Sequence, residues 1–170
     1  MMDHLWAGWR IPYIVADDDE RTKGIDPELT LFEGIEQSGL DDSVTYILWR
    51  GERCFALLNA YPYTSGHLMV LPKKGVENLE DLDPETYVEL FEGVRMGIQA
   101  VKAEYQPDGV NMGMNLGRAS GAGVPNHIHV HVLPRWAGDT NFMTSLAETR
   151  VLPESLGDTW KRLRSAWPTG

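Results

Sequence analysis

Apolar positions along the chain repeat with two periods, one near 3.6 residues and one of two, and each marks a different element. The clearest helical stretch opens at Pro84 behind Asp83, a good cap followed by the residue best suited to a first helical position. Tyr87, Leu90, Phe91, Val94, Ile98, Val101 and Tyr105 then recur on one face, and Pro107 and Gly109 end the run. A shorter helix is predicted from Pro27, with Asp26 as its cap, Leu31, Phe32 and Ile35 on one face and Gly39 as its stop. A last helix is predicted over 158–167, after Pro153 and Gly157 break up the tail.

The strand signals lie between these helices. Residues 44–50 are rich in β-formers, Gly51 and Glu52 turn the chain, and 53–59 return as a hairpin partner. A third strand runs over 67–71 and stops at Pro72. After the long helix come a strand near 110–116, a Gly-rich segment, and a strand over 127–133 that alternates until its last two residues. Strands, one long helix, then strands predict an α+β fold: a mostly antiparallel sheet with the helix packed on one side. The 170 residues suit a single domain, with 1–27 as an N-terminal extension and 141–170 as a C-terminal one. In the first extension Trp6, Trp9, Ile11, Tyr13 and Ile14 are apolar anchors, and 17–20 reads as a solvated acidic loop.

Charge narrows the partners. Fifteen Lys and Arg against 25 Asp and Glu give a net charge of -10, a surface that repels DNA, RNA and anionic membranes. A small anion can still be held by local donors. Cys54 is the only cysteine, so an intrachain disulfide and a thiolate cluster are both excluded, which fits a reducing compartment. The start of the chain has no basic region followed by a long apolar run, and no such run occurs elsewhere; a cytoplasmic protein is expected.

The most informative segment is His127-Ile128-His129-Val130-His131-Val132. In an extended chain three imidazoles point to one face and Ile128, Val130 and Val132 to the other. Three histidines in a core would each need partners for both ring nitrogens. A metal site is one alternative, built from two of these histidines plus His67. All three from one strand are poorly placed for a single ion, because the outer two start roughly 13 Å apart. Covalent catalysis at phosphorus is another. A neutral imidazole is a nucleophile when one nitrogen keeps a held proton and the other keeps its lone pair, while flanking imidazoles donate to phosphoryl oxygens. The Gly-rich run 117–124 supplies backbone donors and the Ser120 hydroxyl, though the same run suits an unconstrained surface loop. His67 and Asn59 read equally as ligand contacts or as satisfied structural groups.

The pattern His-Ile-His-Val-His-Val-Leu over 127–133, joined to Asn59 and the Gly66-His67 pair, resembles the histidine triad (HIT) superfamily of nucleotide hydrolases and transferases. The resemblance extends through 58–72 and 114–117 and covers about residues 30–140. The extension 134–143 and the Trp-rich start are similar to the branch of diadenosine polyphosphate hydrolases and bacterial diadenosine tetraphosphate phosphorylases, more than to the nucleoside phosphoramidases.

The resemblance implies a HIT-like fold and cleavage of a dinucleoside polyphosphate at the α-phosphorus, with water or phosphate as acceptor. His129 then corresponds to the nucleophile, His131 to a phosphate donor, His127 to the organiser of the nucleophile and His67 to a member of their network. Asn59 corresponds to a ribose ligand and Asn115 to a polar amide facing the leaving phosphate. It implies a homodimer and no tightly bound cofactor, with room for Mg2+ accompanying the substrate. Two departures stand out. Thr30 and Glu33 occupy the approximate positions of a zinc-binding C-x-x-C pair found in some members, so that zinc site is expected to be absent. Gly123-Val124 replaces a Gln-Ser/Thr pair, leaving its work to backbone, Ser120 or Arg118. Arg118, Arg135 and Lys73 are candidates to counter polyphosphate charge, and Trp136 to stack on a base or pack structurally. A phosphoramidase and a nucleotide-binding protein with little turnover remain the alternatives.

Overall fold

A computed structural model describes residues 25–139 and 153–169. The anchors Trp6 to Ile14, the acidic run 17–20 and residues 140–152 lie outside the described residues. In chain order the elements are α1 (Leu31–Gln37), α2 (Asp42–Thr45), β1 (Ile47–Arg50), β2 (Cys54–Leu58), β3 (Leu68–Pro72), α3 (Pro84–Tyr105), β4 (Gly109–Gly113), β5 (Val130–Arg135) and α4 (Leu156–Ala166). The five strands form one sheet in the order β1-β2-β3-β5-β4, and every pairing is antiparallel. The fold is the α+β arrangement expected, with α3 packed on one face.

Register divides the two faces. Leu58, Leu68 and Val132 align across three strands, as do Ala56, Val70 and Val130; these buried residues meet Leu90, Val94, Ala100 and Val101 of α3. The alternate positions Leu57, Met69 and His131 also align, and they face the other way. There Phe32 and Ile35 of α1 cover Ile47, Phe55, Leu57, Met69 and Leu71. Alternation along the last strand therefore places Val130 and Val132 in the α3 core and His131 on the opposite face.

Helix α3 follows the sequence signals closely. Asp83 accepts from the Thr86 N–H, Pro84 opens the helix, and Gln106 closes it in a left-handed conformation. Helix α4 begins earlier than the predicted residue 158, because Ser155 caps it by accepting from the Asp158 N–H. At the irregularity in β1 between Ile47 and Trp49, two carbonyls find partners in α4. Trp160 Nε1–H donates to the Ile47 carbonyl at 2.9 Å, and the Arg164 guanidinium donates to that of Leu48.

Four further boundaries depart from the sequence reading. Helix α1 starts at Leu31, not Pro27: Asp26 and Pro27 lie in a turn, and Thr30 with Glu33 forms a reciprocal capping box. Residues 42–45 form the short helix α2, capped by Asp41, rather than the start of a strand. Its tertiary placement overrides the β-propensity of Val44 and Thr45. Strand β4 ends at Gly113 instead of 116. Strand β5 begins at Val130, three residues later than predicted, because the Ile128 N–H is drawn to the Val76 carbonyl (2.8 Å) in the loop after β3. Among the described residues no helix is long and apolar enough to cross a membrane.

Gly66, just before His67, has φ +81°, and a carbon added there would lie 3.0 Å from the Tyr105 ring and 3.1 Å from Pro134. Both constraints favour glycine. Gly66→Ala is expected to cost about 1–2 kcal/mol of stability, the usual penalty for a side chain in a left-handed conformation. A urea midpoint equal to that of wild type would contradict this.

Candidate active site

The loop after β3, the N-terminus of α1 and the start of β5 bring three histidines into one row, and His67 joins it from the start of β3. Ring centroids lie 4.9 Å apart for His129 and His131 and 5.1 Å for His131 and His67. Phe32 of α1 closes the other end, 5.4 Å from His127 and 5.3 Å from His129, edge to face in both cases. Tyr63 leans over His67 at 4.7 Å. All four imidazoles are buried, with 4% of His129 and 9% of His131 exposed.

Buried imidazoles must match donors to acceptors, and the surrounding atoms dictate each tautomer. The Pro72 carbonyl, 2.8 Å from His127 Nε2, can only accept, so Nε2 carries the proton. His127 Nδ1 then accepts from the Thr30 hydroxyl at 2.7 Å. The His127 carbonyl lies 2.9 Å from His129 Nδ1, which must donate. In neutral His129 the lone pair is therefore on Nε2, and Nε2 has no hydrogen-bond partner among the described residues. His67 Nδ1 accepts from the Tyr63 N–H at 3.1 Å, so its Nε2 donates to His131 Nδ1 at 2.9 Å. That assignment leaves the His131 proton on Nε2. Asn59 Nδ2 lies 3.5 Å from His67 Nε2, but in this tautomer both are donors and the contact is no hydrogen bond. Asn59 is oriented instead by its Oδ1, which accepts from the Tyr61 N–H at 2.9 Å.

Burial sets the protonation. It pushes His127 below the ordinary imidazole value, against the opposing pull of the Pro72 carbonyl and Glu33. It lowers His129 as well, against that ring's own bond to the His127 carbonyl. Both rings are thus neutral at physiological pH. Partial burial works against the Glu33 carboxylate, yet the Gly75 and Thr30 N–H groups, with His127, outweigh it and hold its pKa below the usual range.

The structure thus brings His127, His129, His131, His67 and Asn59 together. No hydrogen bond or ring contact joins Asn115, Arg118, Ser120 or Trp136 to the histidines. Asn115 follows β4 two residues after Gly113, the pairing partner of His131. Arg118 is exposed, and Ser120 Oγ donates to the Gly117 carbonyl at 2.7 Å. Trp136 packs edge to face on Tyr105 at 6.2 Å. The charges of Arg135 and Lys73 are engaged, Arg135 in a two-point pair with Asp139 and Lys73 at 3.8 Å from Glu36. A surface cleft of about 330 Å³, lined by Arg53, Lys73, Lys74, Asp81 and Asp83, shares Pro72 with the histidine row, but its charges are mixed. Sequence reasoning missed Thr30 as a partner of His127, although Thr-x-x-Glu before an apolar run signals a capping box. Among the described residues no group of three or more His, Cys, Asp or Glu side chains is placed to hold a metal ion.

The HIT domain model matches residues 42–138, which span β1 to β5 and contain all four histidines. The AP-4-A phosphorylase of Mycobacterium tuberculosis is 37% identical over 171 residues, covering 98% of this chain and 85% of that one. A Zn-bound histidine triad family protein from Mycobacterium smegmatis superposes with a TM-score of 0.65 at 28% identity, over 81% of this chain and 91% of its own. A hypothetical histidine triad nucleotide-binding protein from Sulfolobus tokodaii gives 0.64 at 30% identity, over 79% and 89%. Sequence, sheet topology and the imidazole row agree: the chain belongs to the HIT domain family.

Proposed function

We propose that the protein is a nucleotidyl transferase that cleaves a dinucleoside polyphosphate at the α-phosphorus through a covalent nucleotidyl-His129. The observation that carries this reading is the 2.9 Å bond from His129 Nδ1–H to the His127 carbonyl, which commits the lone pair to Nε2. Nε2 attacks the α-phosphorus, the bond from phosphorus to the bridging oxygen breaks, and that oxygen leaves with the electron pair on the departing nucleotide. The positive charge gained by the imidazole is met at Nδ1–H by the carbonyl already bonded there. His131, with its proton on Nε2 and its Nδ1 held by His67, is the donor to phosphoryl oxygen. An oxygen of the acceptor then attacks phosphorus and releases His129. Asn59 and Asn115 are the candidate contacts to ribose and leaving phosphate, and Arg118, Ser120 and Trp136 to the rest of the ligand.

The likeness to an AP-4-A phosphorylase over 98% of this chain supports diadenosine tetraphosphate as substrate and inorganic phosphate as acceptor. Edge strand β4 with its flank carries Met112 and Leu116 exposed to solvent, which supports a homodimer formed through that edge.

Incubation with diadenosine tetraphosphate is expected to yield ADP and ATP only when phosphate is present. His129→Gly is expected to fold and lose at least about 10³-fold in kcat, since the covalent route disappears. AMP plus ATP would make water the acceptor, and His129→Gly activity within tenfold of wild type would remove the nucleophile. Sedimentation should give a dimer mass for the wild type and a monomer for Met112→Lys; a monomeric wild type contradicts the edge pairing.

The pH dependence has a defined sign. Burial lowers the His129 pKa below its ordinary 6.5, so the nucleophile is neutral at and above that pH. The kcat plateau should extend below pH 6.5 and fall only on further acidification. Folding has the same sign: the unfolded chain takes up protons first, so stability drops as pH falls from 6.5 toward the lowered values of His127 and His129. An acid limb centred above pH 6.5 would contradict a buried neutral nucleophile.

A further inference from the structure

A chain of hydrogen bonds reaches the His129 ring from outside the histidine row. The Glu33 carboxylate accepts from the Thr30 N–H at 2.7 Å and from the Gly75 N–H at 2.9 Å. The Glu33 N–H donates to Thr30 Oγ1 at 3.2 Å. That bond uses a lone pair of the hydroxyl and directs its single proton to His127 Nδ1, 2.7 Å away. His127 then has one tautomer that satisfies both nitrogens, and its carbonyl holds His129. The loop after β3 is fastened to the same point. A carbon added at Gly75 would lie 2.6 Å from Thr30 Cγ2, and the next residue, Val76, holds the Ile128 N–H between the two histidines.

We infer that Thr30 and Glu33 are positioning residues for the His129 nucleophile: the Thr30 hydroxyl proton fixes the ring of His127, and the backbone of His127 aims His129. The inference rests on the nucleophile assigned above. Without the Thr30 donor, His127 Nδ1 is left buried and unmatched. Moving its proton to Nδ1 would turn the Nε2 lone pair toward the Pro72 carbonyl, lone pair against lone pair. The ring must then tilt or protonate, and the carbonyl that holds His129 belongs to the same residue. Misplacing a reacting atom by about 1 Å costs on the order of 10²-fold in rate.

Thr30 also caps α1, so the variants must separate capping from proton donation. Thr30→Val removes both, Thr30→Ser keeps both, and Thr30→Asp keeps the capping acceptor but has no proton to give. Kinetics with diadenosine tetraphosphate and phosphate should show kcat lowered about 10–100-fold in the Val and Asp variants, with KM within about threefold of wild type. Thr30→Ser should restore kcat to within about threefold of wild type, and Glu33→Gln, which can serve only one of the two N–H groups, should fall between. Imidazole 15N NMR of the resting enzyme should find His127 as the neutral Nε2–H form in wild type and the Ser variant. It should find the His127 Nδ1 resonance shifted in Thr30→Val, where the ring has lost its donor and tilts or takes up a proton, and a protonated Nδ1 in Thr30→Asp.

Thr30→Asp with wild-type kcat, or a His127 Nδ1 resonance unchanged in Thr30→Val, overturns the role of Thr30. Wild-type kcat in Glu33→Gln removes Glu33. Should Thr30→Val fail to fold, the Asp variant decides, because its cap is intact. If the wild type itself turns nothing over, the functional reading fails, and the NMR comparison still decides whether Thr30 sets the histidine geometry.

Discussion

The hydrogen bond between His129 Nδ1 and the carbonyl of His127 is the interaction on which the site depends. A free imidazole exchanges its proton between two nitrogens and presents either one. Here a backbone acceptor removes that choice, and because the acceptor is main chain, its direction is set by the path of the chain over 127–129. Side chains then have only to hold that path. Pro72 and Thr30 do so by engaging both nitrogens of His127, and Val76 does so by taking the Ile128 N–H.

Burial is both the cost and the reason for the arrangement. A buried imidazole with an unmatched nitrogen costs about 1–3 kcal/mol, so a row of four is tolerable only where donors and acceptors alternate. They alternate from Glu33 through Thr30 to His127 and on through its carbonyl to His129 Nδ1, and separately from Tyr63 through His67 to His131, while His129 Nε2, unmatched among the described residues, bears that cost. The same burial lowers the His127 and His129 pKa values and keeps those two imidazoles neutral. On the other face Val130 and Val132 lock β5 into the α3 core, so the histidine register cannot slip without moving two valines into the site. The core thereby supplies precision to chemistry that it does not touch.

Much of this was legible in the sequence. Period-two alternation over 127–132 places the histidines on one face, and the capped helix opening at Pro84 identifies the element that covers the other. His67 and Asn59 join the row only through the family resemblance, since by residue type alone each is as readily a structural group. Thr30 was harder. Asp26-Pro27 offers a strong helix start, and it conceals the Thr-x-x-Glu box three residues later that the chain uses. Nothing local predicts that the capping hydroxyl also reaches a ring 97 residues away. Residues 127–129 have the composition of a strand, whereas their backbone is claimed by the loop after β3, a long-range competition invisible to periodicity. The ligand-facing roles of Asn115, Arg118, Ser120 and Trp136 depend on the outline of the bound nucleotide, which residue type and spacing do not encode.

The claim that the backbone of residue 127 selects the reacting nitrogen of residue 129 is open to one direct measurement. Rapid-quench trapping of the enzyme with diadenosine tetraphosphate, followed by peptide mass spectrometry and 31P–15N coupling on the isolated adduct, identifies the bonded atom. A phosphorus–nitrogen bond at Nε2 of His129 is the predicted result. Attachment at Nδ1, attachment to another side chain, or release of product with no adduct ever formed would contradict it.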